Sequence, residues 1–363
     1  MLALWVCPAA EAQASSQTQS SIVRQEFPPA DAESELQTAI GLTRHGQFAE
    51  AIPRFLAVRG KVKEDYAENF NLALCYVGTH QFKDAISILT ALRQTGDNAA
   101  DVNNLLAQAY IGDSQSDAAF AAFHKAAELT PLNEKLYVFV ADACTDHQNY
   151  ALGLKVIDLG LEHLPQSARL HYERAMFLSS LDQFDLARKD FDAVDQLAPE
   201  TAIAYLARAQ KFLYEGKVPE AVLAAREGVK NGDQDFRLLT ILGEALIRSG
   251  VSPGQQEFAE ARWSLEKAVE QRPNSSGAHI ALGKLDLLEN RLESAIAHLS
   301  RARQLDPENP SVYAILARAY QRADNQEQAQ AMLSILAKLN RSQAEKISSA
   351  PGDRKVSDGR SIP

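Results

Sequence analysis

The chain has 363 residues, enough for two average domains or one long array of repeats, and its 46% hydrophobic and 23% charged residues are ordinary for a globular protein. Its net charge of −10 argues against a nucleic-acid partner, because phosphate binding requires a basic surface. Three cysteines, Cys7, Cys75 and Cys144, are no disulfide framework; we interpret Cys75 and Cys144 as small buried side chains inside helices, with redox or metal chemistry as the alternative.

The N-terminus resembles the rear of a secretory signal peptide. Residues Leu2 to Cys7 are apolar, and Ala12 and Ala14 form the small-residue pair typical of a cleavage site. The basic leading region is missing and the apolar run is short, which a start upstream of Met1 would explain. We therefore expect residues 1–31 to be a truncated signal and linker of an exported bacterial protein, periplasmic or secreted. The alternative is a cytoplasmic protein with a disordered N-terminal tail.

A repeat of 34 residues follows. Three successive segments end in Pro131, Pro165 and Pro199, which are 34 residues apart. Extending this frame in both directions predicts nine repeats within residues 32–343, the seventh with six additional residues. The repeats start at Ala32, Tyr66, Ala100, Glu134, Ala168, Ala202, Phe236, Ser276 and Pro310.

Two positions of every repeat hold only alanine or glycine. The eighth position carries Ala39, Ala73, Ala107, Ala141, Ala175, Ala209, Gly243, Gly283 and Ala317. The twentieth carries Ala51, Ala85, Ala119, Gly153, Ala187, Ala221, Ala261, Ala295 and Ala329. Such small side chains are needed where two helices cross closely, so each repeat is predicted to be two antiparallel helices, A and B. Large apolar residues at the eleventh and twenty-fourth positions are predicted core, and Asp286 interrupts the eleventh column.

Two later segments depart from the repeat. The insertion Val251–Gln256 has Pro253 and Gly254 at its middle, and we expect a surface loop that lengthens the turn of repeat seven, with a contact role as the alternative. Residues 344–363 are predicted to be a disordered tail, because they lack apolar periodicity.

The sequence contains no recognisable catalytic motif. We find no glycine-rich phosphate loop, no GxSxG and no HExxH, and the eight histidines lack metal-ligand spacing. We therefore expect no enzyme activity, no cofactor, no metal and no small-molecule substrate. No apolar run after the N-terminus is long enough to span a membrane.

The repeats resemble those of the tetratricopeptide repeat family over Ala32 to about Gln343. The shared pattern is a large residue early in helix A, then Ala or Gly, then an aromatic, followed by Ala, a large residue, Ala and Pro in helix B. The resemblance implies an all-α fold, a right-handed superhelical α-solenoid of helix–turn–helix repeats. It also implies an inner groove lined by the A helices, which holds protein or peptide partners.

In this family the groove is formed by the second, fifth, ninth, twelfth and thirteenth positions of helix A. The predicted partner-binding residues are Leu36, Ile40, Phe70, Leu74, Val77, Asn104, Gln108, Tyr172, Met176, Leu206, Gln210, Leu213 and Tyr214. Exposed apolar patches often mark binding sites, and Asn or Gln can hydrogen-bond a peptide backbone. The alternative is that helix curvature or the chain's own tails cover the apolar residues.

We therefore predict that the chain is a protein–protein interaction scaffold. The alternative is a regulatory or substrate-recruiting subunit of a separately encoded enzyme, and a self-contained enzyme is least favoured because no catalytic domain fits outside the repeats. The carboxylate clamp of chaperone-binding family members is not matched, since Leu36 and Ile40 occupy its first two positions, so a cochaperone role is not expected.

Overall fold

The structure, a computed structural model, describes residues 32–63, 65–95 and 99–349, with side chains up to residue 342. Every regular element in these ranges is an α-helix, and the helices form nine consecutive pairs, each made of an A helix and a B helix. The predicted all-α repeat solenoid is confirmed. The helices are α1 Ala32–Arg44, α2 Phe48–Val58, α3 Asp65–Gly78, α4 Phe82–Gln94, α5 Ala100–Gly112, α6 Ser116–Leu129, α7 Glu134–Asp146, α8 Tyr150–His163, α9 Ala168–Ser180, α10 Phe184–Leu197, α11 Ala202–Tyr214, α12 Val218–Lys230, α13 Phe236–Arg248, α14 Gln256–Gln271, α15 Ser276–Leu288, α16 Leu292–Leu305, α17 Pro310–Arg322 and α18 Gln326–Ser349.

The chain divides into two compact units. The first extends to Asp233 and holds repeats one to six, and the second begins at Gln234 and holds repeats seven to nine. Helix α18 continues to Ser349, so the first residues of the predicted tail are helical. The predicted signal segment, Cys7 and residues 350–363 lie outside the described residues, and export stays a prediction.

The two small-residue columns lie where the helices cross. All members of both columns are buried. A β-carbon added to Gly243 would lie 2.4 Å from the Cγ of Leu265, and one added to Gly283 would lie 2.5 Å from the Cγ of Leu299. Both leucines occupy the twenty-fourth position, so the large residue of helix B packs directly on the small residue of helix A, as close packing requires.

The turns between helices A and B share one backbone feature. The residue at the fifteenth position has a positive φ in all nine repeats, as glycine at Gly46 and Gly216 but as a residue with a side chain at His80, Ser114 and Gln148, among others. The amide of Ser114 donates to the carbonyl of Ile111 and that of Gln115 to the carbonyl of Tyr110. This bond pair is the Schellman motif, which satisfies carbonyls at the end of helix A.

Asp286, the exception in the eleventh column, is the centre of a buried ionic cluster. Its side chain is inaccessible to solvent, and it accepts hydrogen bonds from Arg262 at 2.9 Å and from Ser294 at 2.6 Å. A buried carboxylate requires such partners. The polar residue therefore links α14, α15 and α16 and does not weaken the repeat assignment.

The other large-residue positions are less uniform than predicted. Leu42, Tyr76 and Tyr110 of the eleventh column are only half-buried, and Leu333 of the twenty-fourth is partly exposed. In the insertion, Val251 is buried, so the prediction of a purely surface loop was wrong at its first residue.

Candidate functional site

Four of the predicted groove residues belong to the core. Leu36, Tyr172, Leu206 and Leu213 are buried, and the ring of Tyr172 lies edge-on to that of Phe191, 6.2 Å between centroids. The expectation that these side chains are exposed was wrong. Each of these A helices also contacts a neighbouring A helix of the stack. A side chain with no accessible surface cannot meet a partner without rearrangement.

The predicted amide pair has an internal role. Asn104 is buried, and its Nδ2 donates to the carbonyl oxygen of Leu136 at 3.0 Å. Gln108 Nε2 donates in turn to Asn104 Oδ1 at 2.7 Å. The two amides thus connect α5 to α7, which removes Asn104 as a contact for a peptide backbone. Gln108 stays half-buried, and so do Met176 and Gln210.

An apolar surface remains on the A helices of repeats one and two. Ile40 on α1 and Phe70, Leu74 and Val77 on α3 are half-buried, and the exposed ring of Tyr66 stacks on Phe70 with 5.8 Å between centroids. The four α3 residues follow helical spacing and share one face. We call these five residues the inner patch.

The last predicted residue, Tyr214, lies at the edge formed by the turns between A and B helices. Its ring is 5.7 Å from that of Phe184 and 6.2 Å from that of Phe191, measured between centroids. Phe184 is 48% and Tyr214 43% exposed, whereas Phe191 is buried. The three rings line a cleft of about 250 Å³ between α10 and α11, which we call the edge cleft.

One position distinguishes the edge cleft from the junctions of the first repeats. In repeats one and two, the phenylalanine that starts helix B lies over a glycine of the next repeat, Phe48 over Gly78 and Phe82 over Gly112. A β-carbon on either glycine would come within 2.4 Å of the ring. Tyr214 occupies this thirteenth position in repeat six, so Phe184 cannot settle there and both rings stay accessible to solvent.

Charged side chains surround the edge cleft. Lys211 contacts Asp192, and the carboxylate of Glu215 lies 2.7 Å from the ammonium of Lys217. Arg188 reaches Asp185 at 3.5 Å, a long contact between two exposed groups. The lining therefore carries both signs, with Arg188 its most accessible cation.

A buried carboxylate holds the repeat behind the edge cleft together. Asp190 on α10 accepts two hydrogen bonds from Arg174, at 2.7 and 2.8 Å, and one from His171 at 2.7 Å. Burial by itself would raise the pKa of Asp190, but these bonds together lower it below the ordinary value. The cluster fixes α10 against α9 and thereby the base of the edge cleft.

The described residues offer little for other chemistry. They contain no group of three or more His, Cys, Asp or Glu side chains placed to hold a metal ion. Burial raises the pKa of the Cys75 thiol to about 11 and that of Cys144 to about 12, so neither forms a thiolate near neutral pH. No helix among the described residues has the length and apolar character needed to cross a bilayer.

Sequence reasoning missed Phe184, although a signal for it was present. Phe48, Phe82 and Phe184 share the seventeenth position, and Gly78, Gly112 and Tyr214 share the thirteenth. Comparing these pairs would have shown a bulky residue at Tyr214 where Gly78 and Gly112 leave space.

Two family models described as tetratricopeptide repeat match the chain. One matches residues 42–109 and 286–348, and the other matches residues 254–310. The matched segments fall in both units.

Similar curated proteins are mitochondrial import receptor subunits named TOM70. The human protein is 27% identical over 188 residues, which cover 50% of this chain and 30% of the receptor. The protein of Rattus norvegicus is 24% identical over 261 residues, covering 69% of this chain and 42% of the receptor. The chain thus spans less than half the length of these relatives.

Solved structures that match the chain have low sequence identity to it. A tetratricopeptide repeat protein from Parabacteroides merdae is 15% identical, with a TM-score of 0.48 over 79% of this chain and 98% of that one. The APC/C hetero-tetramer Cut9-Hcn1 is 14% identical, with a TM-score of 0.49 over 85% of this chain and 74% of that one.

Proposed function

Because the chain is a tetratricopeptide repeat protein, we propose that it is an interaction scaffold that holds a peptide or protein segment against the inner patch. Stacked helix pairs present a continuous surface without needing a catalytic centre, and this architecture suits binding of extended or helical segments. In this proposal the chain supplies no reacting group.

The inner patch is the observation that supports the proposal. Five large apolar side chains lie on two contacting A helices, α1 and α3, and none of them is fully covered. Tyr66 and Phe70 add a stacked aromatic pair at one end of the α3 stripe. Burying such a stripe under a partner removes apolar area from water at about 25 cal/mol per Å², and aromatic residues often dominate the energy of an interface.

The inner patch also suggests the kind of partner. Tyr66, Phe70, Leu74 and Val77 recur every three or four residues along α3, so the apolar stripe runs along the helix. An amphipathic helix or an extended strand with alternating apolar residues would match a stripe of this shape.

A peptide selection tests this proposal. Random peptides displayed on phage would be selected on the purified chain, and the affinity of selected peptides would be measured by fluorescence polarisation. We expect Leu74→Asp to weaken them by about tenfold or more, since it places a charge in the apolar contact. The matched control is Leu56→Asp on α2, whose leucine is 46% exposed but lies outside the inner patch.

Circular dichroism and thermal unfolding would show that both variants fold. Failure to select any peptide, or equal affinity for the wild-type chain and the folded Leu74→Asp variant, would contradict the proposal.

A further inference from the structure

We propose that the edge cleft is a separate pocket for one aromatic side chain of a protein partner, and that Arg188 binds a carboxylate next to that side chain. This inference rests on the proposed function only in taking the partner to be a protein. It concerns repeats five and six, at the turn edge of the molecule.

The edge cleft differs from the junctions of Phe48 and Phe82 in a way that favours binding. Phe48 and Phe82 cover glycines and are half-buried, whereas Phe184 and Tyr214 expose nearly half of their surface. Leaving two aromatic rings in water forgoes hydrophobic stabilisation that a glycine at position 214 would allow. A partner side chain packed against the exposed faces of both rings would recover it.

The size and lining of the edge cleft restrict the kind of ligand it can hold. About 250 Å³ is smaller than the 300–1,000 Å³ typical of cofactor and drug sites, but it suits a single large side chain. Three walls are aromatic, and Phe191 and Tyr214 are already stacked with centroids 6.2 Å apart. A further ring can add offset or edge-to-face contacts, which aromatic pairs prefer.

The charges around the edge cleft favour an acidic neighbour for that ring. Lys211 and Glu215 are each held by an ion pair within the fold. Asp185 is 96% exposed and stands in the first turn of α10, where the helix dipole stabilises its charge without a cation. Arg188 can therefore exchange its long contact with Asp185 for a bidentate pair with a partner carboxylate.

The test uses three short peptides with the full chain. Acetyl-Gly-Phe-Glu-Gly-amide, its Ala-Glu analogue and its Phe-Lys analogue would be titrated and followed by saturation-transfer difference NMR. We expect the Phe-Glu peptide to bind about fivefold more tightly than Ala-Glu and about threefold more tightly than Phe-Lys, with saturation concentrated on its ring.

Two variants decide the outcome. Tyr214→Gly should let Phe184 close over the vacated space and weaken the Phe-Glu peptide about fivefold, and the exposed Arg188→Glu should reverse the preference between Phe-Glu and Phe-Lys. Leu74→Asp should change neither result. The inference is overturned if Tyr214→Gly binds as the wild-type chain does, or if Arg188→Glu keeps the preference for Phe-Glu.

Failure here is distinguishable from failure of the scaffold proposal. Peptides selected from the library that depend on Leu74 would still support the inner patch, whereas peptides that ignore Leu74 but require Tyr214 would support the edge cleft alone.

Discussion

Repeats two to four and repeats five and six build the same helix pairs from different interactions. At the seventh position of helix A, Leu72, Leu106 and Val140 are buried, whereas Arg174 and Arg208 occupy this position in repeats five and six. These arginines pair with Asp190 and Asp195 on the adjacent B helix. In repeats five and six, ion pairs with a defined hydrogen-bond geometry thus replace apolar contacts, which depend only on complementary shape.

The contact between the start of helix B and the end of the next helix A also differs between these two regions. Phe82 lies over Gly112 in the apolar region, and Phe184 stands beside Tyr214 in the charged one. The repeat therefore tolerates two kinds of interior, and the second leaves two aromatic rings exposed.

The largest expected effect is at the buried carboxylate. Asp190→Asn should destabilise the chain by about 3 kcal/mol, because Arg174 and His171 lose their charged partner in a buried place. Urea unfolding at pH 7 measures this. The matched control is Asp185→Asn on the same helix, whose side chain is exposed and should matter little.

The same variant has a pH signature. Because the pKa of Asp190 is lower in the folded chain, its stabilisation is present above the ordinary pKa of about 3.9 and is lost as the pH falls through the folded value. The difference between wild type and Asp190→Asn should therefore shrink below pH 4. An equal difference at pH 7 and pH 3 would refute the charge-pair account.

The second prediction converts one junction into the other. Gly112→Tyr should displace the Phe82 ring and destabilise the chain by about 1–3 kcal/mol, since a β-carbon added at Gly112 would lie 2.3 Å from that ring. Urea unfolding gives the loss, and a crystal structure should show Phe82 and the new ring exposed, as at Phe184 and Tyr214. Unchanged stability with Phe82 in place would show that the thirteenth position does not control the junction.

The third prediction concerns the second unit, in which the buried His279 contacts the half-buried His298. His279 Nδ1 lies 3.1 Å from His298 Nδ1, and His279 Nε2 lies 3.0 Å from the carbonyl oxygen of Pro273. Burial lowers the pKa of both imidazoles, so the fold favours their neutral forms. Stability should then fall as the pH drops below about 6.5, by at most about 1.4 kcal/mol per pH unit for each proton.

Urea unfolding between pH 7.5 and pH 5 follows this loss, and His298→Gln should make the pH dependence shallower. Asp190 supplies the contrast, because its contribution changes only below pH 4. A pH dependence of the same steepness in the variant would show that the imidazoles do not cause it.

The smallest expected effect is an increase in the free energy of unfolding. Ser114 has a φ of 60° in the turn between α5 and α6, a conformation that costs a residue with a β-carbon about 1 kcal/mol. Ser114→Gly should stabilise the chain by about 0.5–1 kcal/mol in urea unfolding. Ser180→Gly at the end of α9 is the control and should lose about as much, since glycine disfavours a helix. A loss in Ser114→Gly would contradict the turn argument.

The fold was predictable because its constraint recurs. Ala187 and Ala221 are buried at the helix crossings as expected, and the same requirement appears in every repeat. The exposure of single groove residues was not predictable in this way. Whether Tyr172 faces solvent depends on Phe191 and on the neighbouring A helix, and no column of the repeat carries that information.

Asp286 and Tyr214 also show what the sequence could not predict. Each departs from its column, and a departure alone does not tell whether it is a defect, an internal contact or a surface. The structure assigns Asp286 to an internal cluster and Tyr214 to an accessible cleft.

The recurring Schellman turn has a consequence for how such a molecule can change. Its backbone hydrogen bonds, between the amide of Gln81 and the carbonyl of Tyr76 for example, involve no side chain. Histidine, serine, glutamine, aspartate and glycine therefore all occupy the turn with a positive φ. Each turn can thus acquire new chemistry at this residue while the backbone hydrogen bonds beneath it are kept.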